Sequence, residues 1–237
     1  MRARFQNRRE AGKYLASRLR EYAGRPDVLV LGLARGGVPV ASEVARALGA
    51  PLDVFVVHKL CPPHHPELAI GAIATGGGRV LDRRVIRELN VSPAAVTRET
   101  SEGHLELERR EDAYRSTRPT PKVEGKTVIL VDDRLVTGAG IFPAIAALRE
   151  DKPAAIVVAV PVAAPDAIAA MTRLADRCVA GVTPAQLGDV SDWYDDFSPT
   201  TDAEVRTLLE AAAWRQGTDG HAPIRSPVRE RLAPPRR

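Results

Sequence analysis

Apolar and polar positions along the chain alternate between short continuous apolar runs and stretches of helical spacing. Between Met1 and Tyr22, the residues Tyr14, Leu15, Leu19 and Tyr22 recur at helical intervals. Val28–Leu33 (VLVLGL) is the first apolar run and ends in Ala34-Arg35-Gly36-Gly37; helical spacing resumes over Val38–Leu48 and closes at Gly49. Leu52–Val57 (LDVFVV) is a second run, followed by His58-Lys59 and the stretch CPPHHPE. Leu68–Thr75 and Arg79–Leu81 read as strands joined by a Gly76-Gly77-Gly78 turn, and Ser92-Pro93 opens a long polar helix to about Arg115. Thr127–Val131 (TVILV) is the third buried run, with a glycine-containing loop and a helix over about Ile141–Arg149 behind it. Ala155–Val160, a helix over Pro165–Leu174, and Cys178–Val182 complete the series.

Strands that are apolar on both faces and alternate with helices predict an α/β fold built on a parallel twisted sheet flanked by helices. The chain has 237 residues, enough for one sizeable domain. Its composition is 44% hydrophobic but only 4% aromatic, so the core is expected to be rich in Ala, Val, Leu and Ile. No apolar run approaches the roughly 18–20 residues that span a bilayer, so no membrane partner is expected. MRARFQNRRE lacks the apolar segment of a signal peptide, and Cys61 and Cys178 are the only cysteines; a cytoplasmic location is the expectation.

Charge changes the picture in one place. Arg215–Arg237 holds six arginines against Asp219 and Glu230, a net of +4 that equals the net charge of the whole chain. Residues 1–214 are therefore balanced, despite a pI near 9.3. The division expected is a domain over 1–214 and a basic, Pro/Arg-rich disordered tail over 215–237. Nucleic acid is not an expected partner except through that tail.

Ligands of open parallel sheets bind beyond the carboxyl ends of the strands. Three strands here end in candidate chemistry: Ala34-Arg35-Gly36-Gly37, His58-Lys59, and Asp132-Asp133-Arg134-Leu135-Val136-Thr137-Gly138-Ala139-Gly140. Loop amides and a helix N-terminus suit a phosphate, while two carboxylates accept hydrogen bonds from sugar hydroxyls. Together they describe a sugar carrying a phosphate. Each segment alone has a plainer explanation: the acids cap a strand end, the glycines make an ordinary turn, and Lys59 is solvated. Cys61, His64 and His65 supply no fourth ligand nearby, so a structural zinc is not expected.

VILVDDRLVTGAG resembles the 5-phosphoribosyl 1-pyrophosphate (PRPP) motif of type I phosphoribosyltransferases. VLGLARGGVPVASEVA, HKLCPPHHPELAIGAI and WYDDFSPTTDAEV extend the likeness to a bacterial and actinobacterial subgroup, from about Arg4 to Ala213. The resemblance implies a type I fold with a small hood from the terminal segments. It implies that Asp132 and Asp133 meet the ribose hydroxyls and, with Lys59, form the candidate catalytic set. Thr137, Gly138, Ala139 and Gly140, with Arg134 beside them, would hold the 5-phosphate. Arg35, Gly36, Gly37 and Lys59 would hold pyrophosphate. Mg²⁺ would ride mainly on the substrate, with no protein ligand assigned. The implied partners are PRPP and a nitrogenous base or nucleotide, in a homodimer. The proline-rich stretch around His64 and His65 corresponds to a mobile cover, and Trp193, Tyr194 and Phe197 to a hood that could hold the acceptor.

The loop departs from the subgroup pattern, DDGLATGAT, at three positions: Arg134 for glycine, Val136 for alanine and Gly140 for threonine. Losing the threonine hydroxyl removes about 1–3 kcal/mol of hydrogen bonding to a charged group. Arg134 either strains the backbone, if positive φ is required, or pairs with an acid of the motif, or contacts phosphate. Three readings follow: a Mg²⁺-dependent phosphoribosyltransferase, a catalytically weak or inactive PRPP- or nucleotide-binding regulatory protein, and a scaffold whose site is dead.

Overall fold

The protein is seen in a computed structural model that describes residues 4–62, 65, 68–115, 118–138 and 140–218. A five-stranded, wholly parallel sheet has the order β2-β1-β6-β7-β8. Its strands are β1 (Val28–Leu33), β2 (Leu52–Phe55), β6 (Thr127–Val131), β7 (Ala155–Val162) and β8 (Arg177–Val182). Alternation of side chains along these strands divides the core in two. Val28, Val30, Ile129 and Val131 pack with α1 (Arg8–Ser17), α2 (Gly37–Leu48) and α7 (Asp202–Thr218). Leu29, Leu31, Val128 and Leu130 pack with α5 (Ile141–Glu150) and α6 (Pro165–Met171) on the opposite face. Both faces are covered, so every β1 and β6 position is buried.

The expected parallel architecture holds for this sheet, and a second sheet departs from it. β3 (Val57–Leu60), β4 (Gly71–Ala74) and β5 (Arg79–Leu81) form an antiparallel meander. The single apolar run Leu52–Val57 therefore serves two sheets. The chain leaves the first after Phe55, where Val56 N–H donates to Thr75 Oγ1 and Val56 C=O accepts from Thr75 N–H. The glycine turn enters positive φ at Gly76 and Gly77, which reverses the chain between β4 and β5. β4 is shorter than the predicted Leu68–Thr75, and α6 stops before the predicted Leu174.

The predicted long polar helix is α4 (Pro93–Arg115), laid across β3 and β4. It can lie close because Gly103 has no side chain: a Cβ there would meet Leu60, His58 and Ile73 at 2.9–3.0 Å. Its C-terminal end is fixed by buried Arg115, which bonds Asp53 at 3.1 Å, Glu111 at 2.7 Å and Val54 C=O at 2.8 Å. Short helix α3 (Arg83–Glu88) and α7 have no counterpart in the apolar pattern. The expected boundary at residue 214 falls inside α7, which continues to Thr218; residues 219–237 lie outside the described residues.

A third apolar cluster is the hood expected from the terminal segments. Phe5, Val162, Leu187, Val190, Trp193 and Tyr194 pack together, and Phe5 bridges to Tyr194. It stands over the carboxyl end of the sheet. Among the described residues, no helix is long and apolar enough to cross a membrane.

Candidate active site

β1 and β6 are parallel neighbours, with Gly32 opposite Val131. Their ends therefore deliver Ala34–Gly37 and the loop from Asp132 to the same edge. The two loops touch so closely that a Cβ on Gly36 would fall 2.1 Å from Asp133 Oδ2. The Ala34-Arg35 peptide is cis. β3 adds Lys59 from the second sheet, and the hood adds Pro199 and Thr200. They enclose a cavity of about 470 Å³ lined also by Arg8, Arg35, Asp132, Asp133, Arg134, Thr137, Gly138 and Gly140. The three sequence segments are thus brought to one place. Ala139 and His64 lie outside the described residues.

The far wall suits an anion. Gly140 caps α5, whose first turn carries no acidic residue, so the positive end of the helix dipole is uncompensated beside the cavity, although Phe142 N–H already donates to Gly138 C=O and Pro143 has no N–H. Gly138 has φ of +77° and packs beneath Phe142, where a Cβ would meet the ring at 2.3 Å. Glycine is required there on both counts.

The two acids are not equivalent. Asp132 lines the cavity, and its Oδ1 accepts from Asp133 N–H at 2.8 Å. Burial, and then the adjacent Asp133 carboxylate, push the Asp132 carboxyl well above the usual range. Asp133 is buried, with both oxygens engaged: Arg8 Nε donates to Oδ2 at 2.8 Å, and Arg134 Nη1 to Oδ1 at 3.2 Å. The Asp133 carbonyl accepts from the Tyr194 hydroxyl at 2.7 Å, and burial pushes that phenol far up, keeping it a donor.

Arg134 takes one of the courses open to it in sequence, pairing with an acid of the motif. It adopts no positive φ; among described non-glycine residues only Asn90 and Lys152 do, so arginine costs no backbone strain here. Arg35 leans the other way, to within 3.5 Å of Asp202, and borders a second cavity of about 240 Å³ with Arg109, Arg110 and Tyr114.

The hood aromatics offer no open face to a base. Trp193 is buried and donates Nε1–H to Leu187 C=O at 2.8 Å. Tyr194 is buried and stacks on Phe197 with centroids 4.7 Å apart. The Arg8 guanidinium lies 4.0 Å from the Phe197 centroid and that of Arg134 lies 5.4 Å from it, so the ring is also flanked by cations. Arg8 has no motif around it in sequence; Thr200 lies within the terminal segment WYDDFSPTTDAEV, which was the only signal that the hood belongs to the site.

Among the described residues no group of three or more His, Cys, Asp or Glu could hold a metal ion. With Asp133 already bridged, Asp132 is the one carboxylate of the motif facing the cavity without an arginine partner. A cation carried on substrate oxygens would find that single carboxylate at the cavity wall.

Residues 4–182 match the phosphoribosyl transferase domain family. The chain belongs to that family. Two Mycobacterium tuberculosis proteins, from strains CDC 1551 and H37Rv and each named "Putative phosphoribosyl transferase", are 41% identical to it over 208 residues. That alignment covers 88% of this chain and 47% of each relative, so the chain spans about half the length of the curated relatives it matches. The crystal structure of TT1426 from Thermus thermophilus superposes with a TM-score of 0.77 at 40% identity, covering 87% of this chain and 97% of that one. The architecture is that of the type I phosphoribosyltransferases: a five-stranded parallel sheet flanked by helices, with the loop after β6 at its carboxyl edge.

Proposed function

We propose that the protein is a Mg²⁺-dependent phosphoribosyltransferase that binds PRPP and transfers phosphoribose to a nitrogenous base, releasing pyrophosphate. The observation that carries this reading is the convergence of the acid pair, the glycine loop at the α5 N-terminus, Arg35–Gly36 and Lys59 around one cavity. The 5-phosphate takes the amides of Thr137–Gly140. Asp132 accepts a ribose hydroxyl, and Asp133 accepts the other through Oδ1 once Arg134 releases it. Arg35 and Gly36 border the site for pyrophosphate, Gly37 lets that loop pack against the end of β6, and Lys59 meets pyrophosphate as a point charge.

The C1–O bond to pyrophosphate breaks as the ring nitrogen of the acceptor forms the new C1–N bond, and the acceptor's ring proton is lost to solvent. Residues of the site position the sugar and stabilise charge, without covalent chemistry of their own. Mg²⁺, when bound on the pyrophosphate oxygens, would offset the charge of the leaving group. A homodimer in a reducing cytoplasm belongs to the same reading.

Pyrophosphate release from Mg²⁺-PRPP across a panel of purine and pyrimidine bases tests it. Release with one base, abolished by Asp132→Asn, is the expected result; no release with any base overturns transfer to these acceptors. A second reading has a specific observation behind it. Arg134 occupies Asp133 Oδ1, so ligand binding competes with an ion pair, as suits a weakly active or regulatory PRPP- or nucleotide-binding protein. Calorimetric binding of PRPP without turnover selects that reading.

A further inference from the structure

Arg8 stands at the N-terminus of α1, 125 residues from the acid it contacts. Its side chain is 11% exposed and that of Asp133 only 3%, so the pair is shielded from solvent screening. The one guanidinium makes three contacts on two elements. Nε donates to Asp133 Oδ2 at 2.8 Å, Nη1 donates to Ser198 C=O at 2.7 Å, and the plane covers the Phe197 ring at 4.0 Å. A return path exists through Tyr194, stacked on Phe197 and donating to the Asp133 carbonyl. Asp133, Arg8, Phe197 and Tyr194 thus close a circuit between the sugar loop and the hood.

We propose that Arg8 is a positioning residue that couples the occupancy of the sugar loop to the closure of the hood segment 194–200. The ligand's identity rests on the function proposed above; the coupling itself does not. Asp133 has two oxygens with different partners. Oδ2 lies against Gly36 and is held by Arg8, and Oδ1 faces the half-exposed Arg134. An incoming ribose hydroxyl displaces Arg134 from Oδ1 while Arg8 keeps Oδ2. The fixed carboxylate then transmits its position through the guanidinium fork to Ser198 and Phe197, next to the cavity wall that Pro199 and Thr200 line. Lysine cannot replace this arrangement, because a single ammonium lacks the planar fork that addresses carboxylate, carbonyl and ring together.

Hydrogen exchange of segment 194–200 in the full chain, read by mass spectrometry with and without Mg²⁺-PRPP, tests the proposal. Wild type should gain protection in this segment on adding PRPP. Arg8→Ala should exchange there about tenfold faster without ligand, show no PRPP-dependent gain, and bind PRPP about tenfold more weakly. β6 and β7 should exchange as in wild type. Arg8→Lys should recover most of the affinity but not the ligand-dependent protection, a split that a purely structural role would not produce. Retention of the PRPP effect in Arg8→Ala overturns the coupling. Should wild type bind no PRPP, the functional reading fails and the coupling is judged on unliganded protein. There, Arg8→Ala, Asp133→Asn and the double variant should loosen 194–200 equally, whereas additive effects overturn it.

Discussion

Replacing Gly140 by threonine returns to the sugar loop the hydroxyl found at that position in the subgroup pattern, and the structure sets what this should do. Gly140 has φ of −95° and ψ of −42°, a right-handed conformation open to any L residue. An added Cβ meets only Leu33 Cδ2, at 3.4 Å, the end of a side chain that can yield. Threonine and glycine are comparable helix caps, so the stability of α5 should change by no more than a few tenths of a kcal/mol. The gain is then the hydrogen bond from hydroxyl to charged phosphate, about 1–3 kcal/mol. At about 1.4 kcal/mol per decade, this is roughly a tenfold to hundredfold rise in affinity.

Calorimetric titration of wild type, Gly140→Thr and a Gly140→Ala control would measure it. Mg²⁺-PRPP and ribose 5-phosphate should both bind more tightly to the threonine variant, since both carry the 5-phosphate, and pyrophosphate alone should not. A gain for pyrophosphate without one for ribose 5-phosphate would show that the two phosphate loops have been assigned the wrong way round. An unchanged affinity for all three, with unchanged thermal stability, would refute the placing of the 5-phosphate at Gly140.

Arg134→Gly frees Asp133 Oδ1 and should strengthen Mg²⁺-PRPP binding severalfold by calorimetry; equal affinities would mean that the arginine takes no part. Asp132→Asn keeps the oxygen that accepts from Asp133 N–H and removes a carboxyl whose folded pKa is raised, a group that stabilises the fold below its unfolded pKa and ceases to as pH rises through the folded value. The asparagine variant should therefore melt higher than wild type at neutral pH, by about 2–4 °C per kcal/mol regained, while losing PRPP binding; a lower melting point would make the carboxylate itself structural. Arg115→Ala leaves buried Asp53 unpaired and should cost about 3–5 kcal/mol in urea unfolding. Burial already raises the Asp53 pKa, and losing Arg115 raises it further, so the deficit should be larger at pH 7 than near pH 4; a deficit independent of pH would assign the loss to packing.

The parallel sheet was legible because burial on both faces leaves a continuous apolar run, and Thr127–Val131 shows this in five buried residues. Of the antiparallel meander, β4, β5 and their glycine turn were legible, but β3 was not, because it is half-exposed and Leu52–Val57 gives no sign of where one sheet hands over to the next. That handover depends on Thr75, nineteen residues on, whose hydroxyl meets Val56 N–H. α7 was hidden for a different reason: it buries Val205, Leu209 and Ala212 against α2 and α4, but carries charged residues through the same turns.

Site legibility follows the same division between local and distant causes. The loop is a local object, small residues between a strand and a helix, so Asp132–Gly140 could be proposed as a phosphate loop from nine consecutive letters. The electrostatic state of the acids is not local. The motif carries the same residue type at two adjacent positions, yet one carboxylate faces the cavity and the other is clamped between Arg8 and Arg134. Neighbouring side chains at the end of a strand point to opposite sides, so one acid of such a pair must turn inward. An inward carboxylate is tolerated only with a cation beside it. That requirement could be stated from the motif alone; its fulfilment by a residue of the first helix could not. The same clamp explains why the fold accommodates Arg134: it adds a second cation to a carboxylate that burial already obliges the chain to neutralise, and its guanidinium also lies 5.4 Å from the Phe197 centroid.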